Sequence, residues 1–180
     1  MIVIGVIGIL AAALFPSLSS YLSRGRDTAK ISEIKQLNTA LISYQVDKST
    51  FSIPWVWYNL SWSWWINFVN GTTYVTAIAT KLWELGYLEG NITHKIITDL
   101  GIHPVPTSGT PTNPCYNSNG VPVSWDLYMF YADNVTGQYS ISGYLENPKQ
   151  ADIDNAVLAY SMPLQNICTK YGRNYVVWKN

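Results

Sequence analysis

The chain opens on fifteen residues, Met1 to Phe15, without a polar side chain, and no charge appears before Arg24. A charge-free run of 23 residues spans about 35 Å as a helix, against a bilayer core of about 30 Å. From Asp27 to Lys48 the pattern changes to an amphipathic helix. Ile31, Ile34, Leu37, Leu41 and Tyr44 recur at three- and four-residue steps, with Lys30, Glu33, Lys35, Gln36 and Asn38 off that line. The pattern predicts one long rod, greasy all round at its start and apolar on one face further on, with that face packed on a sheet. Gly5 and Gly8 weaken the first part, and Pro16 removes a helical hydrogen bond and clashes with the preceding turn. The weakest stretch is therefore residues 8–16, with a kink expected near Pro16. Ser49 to Pro54 ends the rod.

A second helix is expected from Thr76 to Leu88, burying Ile78, Leu82, Leu85 and Trp83 and closed by Gly86 or Gly90. Residues 91–122 are rich in Pro, Thr, Ser, Gly and Asn and read as loop. Leu127–Tyr131, Gln138–Tyr144 and Asn174–Trp178 alternate as strands, the first two joined by a turn at Asp133–Gly137. The fold class is α+β: a hydrophobic N-terminal helix packed on an antiparallel sheet domain. The division falls at a helix of residues 1–50 and a head of residues 51–180.

Composition narrows what the head can do. Eleven basic and eleven acidic residues cancel, and 12% of positions are charged, so nothing favours nucleic acid as a partner. The group Arg24, Arg26, Lys30 and Lys35, interrupted by Asp27 and Glu33, reads as a solvated or salt-bridged helix face. Cys115 and Cys168 lack zinc-site spacing. They leave two readings, a disulfide of an exported protein or two unrelated buried thiols, and the disulfide is favoured. Trp55, Trp57, Trp62, Trp64, Trp65, Tyr58, Phe68 and Tyr74 crowd one uncharged segment. It suits the domain's own packing, a subunit contact, or, less readily, an aromatic platform for sugars.

No catalytic constellation emerges, and neither a cofactor nor a metal is expected. His94 and His103 lie by a Pro-rich loop without a nucleophile in a recognised motif. Asp152, Asp154 and Asn155 cluster oxygens but not the six to eight that calcium takes, and read as a hydrated loop. Asn59, Asn70, Asn91 and Asn134 head glycosylation sequons.

Met1-Ile-Val-Ile, Gly8-Ile9-Leu10-Ala11-Ala12, Pro16 and Tyr21 resemble the N-terminal helix of type IV pilins and pseudopilins. The likeness continues with lower specificity through Gln36-Leu37, Tyr44, Asp47 and Phe51. Short matches at Leu145-Glu146-Asn147 and Tyr175-Val176-Val177 add to it. Family members carry a cleaved basic leader, an N-methylated aromatic residue and a glutamate in the apolar stretch. The sequence starts after the point where those lie, and the expectation is a trimmed start. A missing basic leader also answers the positive-inside rule, which taken alone puts Arg24, Arg26 and the head in the cytoplasm.

The resemblance implies a self-polymerising subunit, held in the cytoplasmic membrane before assembly and in an extracellular pilus after it. Ile2, Ile4, Gly5, Gly8, Ile9, Ala11, Ala12 and Phe15 would pack the filament core. Gly8 to Pro16 would lose helix there, and Cys115–Cys168 would be the disulfide that pilins carry near their C-terminus. It further implies a prepilin peptidase, a platform protein and an assembly ATPase as partners, with adhesion or motility among the roles. The alternatives are a pseudopilin of a type II secretion pseudopilus, a signal-anchored protein, and a membrane-anchored carbohydrate-binding protein using the Trp-rich segment.

Overall fold

The computed structural model describes residues 2–48, 74–90, 92, 108–116, 118, 128–132, 139–161 and 165–179. Side chains of the first helix are described from Ser20 onward. The Trp-rich segment before Tyr74, both histidines, the four sequon asparagines and the Asp133–Gly137 turn lie outside the described residues.

Helix α1 runs over Ile2–Asp47, ending two residues before the expected stop. The helix passes through Gly8 and Pro16 without interruption. Helix α2 covers Tyr74–Glu84. It stops where Gly86 takes φ +81°, a conformation that side-chain-bearing residues rarely adopt. The Gly86 N–H then reaches the Trp83 carbonyl at 2.9 Å and the Tyr87 N–H the Leu82 carbonyl at 2.8 Å, closing the last turn. Ile78, Ala79 and Leu82 are buried. Leu85 and Trp83, expected on that edge, are exposed instead: Leu85 lies past the end of the helix at Glu84, and Trp83 is turned about 100° from buried Leu82.

Strands β1 (Met129–Ala132), β2 (Tyr139–Gly143) and β5 (Tyr175–Lys179) form an antiparallel sheet in the order β1-β2-β5. Phe130, Ile141 and Val177 pair across it in one row. They share a core with Ile34, Leu37, Leu41 and Tyr44 of α1 and with Ile78, Ala79 and Leu82 of α2. Both helices therefore cover one face of the sheet. Gly143 lets α1 come close: a Cβ there would stand 3.1 Å from Ile34 Cδ1 and 3.2 Å from Tyr128 Cδ1.

Period two sends Val176 the other way, into a second core. Helix α3 (Gln150–Leu158) and helix α4 (Ile167–Tyr171), with the small hairpin β3 (Tyr160–Ser161) and β4 (Gln165–Asn166) between them, supply it. Ile153, Ala156, Ala159 and Ile167 gather around Cys115 and Cys168, which are disulfide-bonded. Asp152, Asp154 and Asn155 therefore sit on a helix rather than in the expected hydrated loop. The Asp152 carboxylate accepts the Lys149 N–H at 3.0 Å and caps the first turn of α3.

Candidate functional site

A line of buried side chains runs along α1 through Ser23, Asp27, Lys30, Ile34, Leu37, Leu41 and Tyr44, with Glu33, Ala40 and Gln45 buried beside it. Steps of four and three residues keep them on one face of the helix, the face that meets the head. The chemistry of the line changes midway. From Ile34 onward it is apolar, with Ile34, Leu37 and Leu41 fully buried. Before that it is polar, and each of its side chains bonds to the segment following β2.

Asp27 is the centre of the polar part. One carboxylate oxygen accepts the Glu146 N–H at 2.8 Å and the other the Asn147 N–H at 2.8 Å. The Asn147 amide donates to Ser23 Oγ at 2.8 Å. Lys30 Nζ donates to the Tyr144 carbonyl at 3.1 Å. Arg26 lies just off the line and forks onto Glu146, both N–H···O distances being 2.7 Å. That bond, more than the charge of Glu146 and Asp27, raises the guanidinium pKa above its ordinary value. Residues 144–147 are fastened in turn to the sheet. The Leu145 N–H donates to Asn174 Oδ1 at 2.7 Å, and Asn174 Nδ2 donates to the Leu145 carbonyl at 2.8 Å.

Two further polar contacts flank the apolar part. Buried Glu33 accepts the hydroxyl of Tyr128. At the far end Tyr87 donates its hydroxyl to Asp47 and packs edge-on against Tyr44, with centroids 5.6 Å apart. The Tyr87 bond holds the Asp47 carboxyl below the ordinary range, helped by Lys48, and pushes the Tyr87 phenol up to about 12. Burial does the same to Tyr139, also pushed up to about 12.

These contacts correct the expected helix face. Lys30 and Glu33 are buried rather than off the docking line, as is Asp27; Arg24 and Lys35 stay exposed, and Arg26 is salt-bridged. A polar residue on the docking line has a signal in the sequence, since Ser23, Asp27 and Lys30 continue the spacing of Ile34, Leu37 and Leu41. Hydrophobic periodicity alone passes over it.

Ile2, Ile4, Gly5, Gly8, Ile9, Ala11, Ala12, Phe15 and Pro16 lie on the leading part of α1, and their side chains fall outside the described residues. Among the described residues no helix is long and apolar enough to cross a membrane; most side chains of the expected span, residues 1–23, fall outside the description. Among the described residues there is also no group of three or more His, Cys, Asp or Glu placed to hold a metal ion. A groove of about 240 Å³ between α1 and the segment after α2 is lined by Gln36, Thr39, Ser43, Tyr87 and Glu89 among others. Its described lining holds neither histidine nor cysteine. The chain matches no family model, no curated protein and no solved structure.

Proposed function

We propose that this chain is the structural subunit of an extracellular type IV pilus-like filament, with a pilin-like fold. The observation that carries the reading is the division of α1. One helix of 46 residues docks on the head through a line whose first buried residue among the described side chains is Ser23, and the sequence before Arg24 holds no charge. An uncharged leading segment continuous with a docked helix suits transfer from lipid into a bundle of like helices. The Cys115–Cys168 disulfide suits a head that matures outside the cytoplasm.

In this reading the unassembled subunit waits in the cytoplasmic membrane through residues 1–23, with its head outside. Gly5, Gly8, Ala11, Ala12 and Ala13 let neighbouring helices approach closely, while Ile2, Ile4, Ile9 and Phe15 fill the space between them. The change of environment releases little hydrophobic energy, because lipid tails and a filament core are similarly apolar; close packing supplies the gain. Gly8 to Pro16 is where the rod gives way on assembly. Contacts between unlike surfaces that do not close into a ring propagate as an open helix. A prepilin peptidase, a platform protein and an ATPase complete the apparatus, and the subunit itself carries out no catalysis.

The test is expression of the chain with and without residues 1–19 in the source cells, followed by electron microscopy of sheared surface material. Fibres containing the full chain and none from the truncated one are expected. Fibres from the truncated chain, or a full chain that stays dispersed in the membrane while fibres form, would refute the reading.

A further inference from the structure

We propose that the turn of α1 from Ser23 to Lys30 is a releasable latch. It unclasps from residues 144–147 while the rest of α1 stays docked, giving the helix a pivot near Ile31. The inference stands on the contacts of the head alone. Fibres can fail to form with the latch opening as described, and the reverse.

The argument begins with what each part of the docking line loses on opening. Undocking the part beyond Ile31 would bring Ile34, Leu37 and Leu41, all fully buried, into water, at the full cost of exposing a core. Between Ser20 and Lys30 no apolar side chain is buried. The three buried side chains there are Ser23, Asp27 and Lys30. Each holds the head by hydrogen bonds, and water replaces a hydrogen bond far better than it replaces a packed leucine.

The neighbours of the latch point the same way. Tyr21 and Leu22 are exposed at 70% and 63%, so among the described residues nothing apolar on the head covers the helix just before it. A side chain added at Gly25 would meet nothing within 4 Å among the described residues. The Arg26–Glu146 pair is partly exposed, where salt and water compete with it. The receiving segment does not share this looseness. Leu145 is buried and held on both its N–H and its carbonyl by Asn174, itself fully buried. The seat of the latch therefore stays in place while its occupant leaves. A segment held only by solvent-replaceable bonds, beside one held by a core, opens as its own unit. In a filament of the kind proposed, such a joint lets the leading rod change its angle to the head without unfolding it.

The amides of Glu146 and Asn147 report the latch directly, because they donate to the two oxygens of Asp27. Native-state hydrogen exchange followed by NMR on the full chain in detergent, across low denaturant concentrations, is the experiment. In the wild type both amides exchange at least about a hundredfold faster than those of Ile141 and Leu41, and with little dependence on denaturant. Asp27→Ala speeds them at least about tenfold further and leaves Ile141 unchanged. Arg26→Ala, which removes only the ion pair, speeds them about two- to fivefold. The proposal is overturned if Glu146 and Asn147 exchange in step with Ile141. It is equally overturned if Asp27→Ala lowers the protection of Ile141 by the same factor or prevents folding, since the latch would then belong to the core.

Discussion

Asn174 joins the end of the sheet to the segment that receives α1, and replacing it by alanine isolates that joint. Its amide satisfies both polar groups of the Leu145 backbone, as a neighbouring strand would, at 2.7 and 2.8 Å. Asn174 is 0% exposed and Leu145 1%, so water does not take over when the amide is removed. Leaving a buried donor or acceptor unpaired costs about 1–3 kcal/mol each, so two such groups cost about 2–6 kcal/mol. That is a large share of the 5–15 kcal/mol typical of a native domain. Urea unfolding followed by tryptophan fluorescence measures it. The midpoint is expected to fall with little change in slope, since the surface exposed on unfolding is nearly unchanged. Asn174→Asp sharpens the test: it keeps the acceptor for the Leu145 N–H but sets a carboxylate against the Leu145 carbonyl. Relative to wild type at the same pH, that variant regains stability on acidification, as the protonated carboxyl becomes a donor again. A loss below about 1 kcal/mol for the alanine variant would refute the argument, for Leu145 would then be satisfied without Asn174.

Leu37→Ala, at a fully buried site, is expected to cost about 2–5 kcal/mol in urea titration, whereas Leu85→Ala, 47% exposed, stays within about 0.5 kcal/mol; equal effects would contradict the packing described. Replacing Cys115 and Cys168 by serine removes a link across a separation of 53 residues and is expected to cost about 4 kcal/mol in the chain-entropy model, read as a lower unfolding midpoint under otherwise identical conditions. In alkali the folded chain keeps the protons of Tyr139 and Tyr87 to about pH 12, while unfolded tyrosines lose theirs near 10. Folding therefore gains its full contribution from these groups below pH 10, and stability falls between about pH 10 and 12. Tyr139→Phe should flatten that fall, and an unchanged slope would rule out its share. In acid the sign reverses for Asp47: its contribution is present above the ordinary carboxylate range and disappears as pH drops through its lowered pKa. Asp47→Asn should remove that part of the acid sensitivity.

Much of the frame was legible in the order of residues. The line from Ile34 to Tyr44, the sheet strands to within two residues and the stop near Gly86 follow from periodicity and turn chemistry, which are local properties of the chain. The disulfide was legible as one of two readings, and proximity of the two sulfurs decided it. The second core was not legible. Gln150–Leu158 is a nine-residue helix burying Ile153 and Ala156, too small an apolar face to stand out, and its aspartates look like loop. Leu85 was misplaced because a helical repeat does not record where the helix ends, and Trp83 because it is turned about 100° from buried Leu82.

The sequence by itself determined that a long helix leads the chain, uncharged at first and then one-sided, with strands to meet its apolar face. Hydrophobic spacing carries that much because burial of apolar side chains is favourable against almost any apolar partner. Only the tertiary structure decided that Ser23, Asp27 and Lys30 extend the docked face. A polar group is stable in a buried place only opposite a matching donor or acceptor, and for Asp27 those donors are backbone amides 119 and 120 residues away.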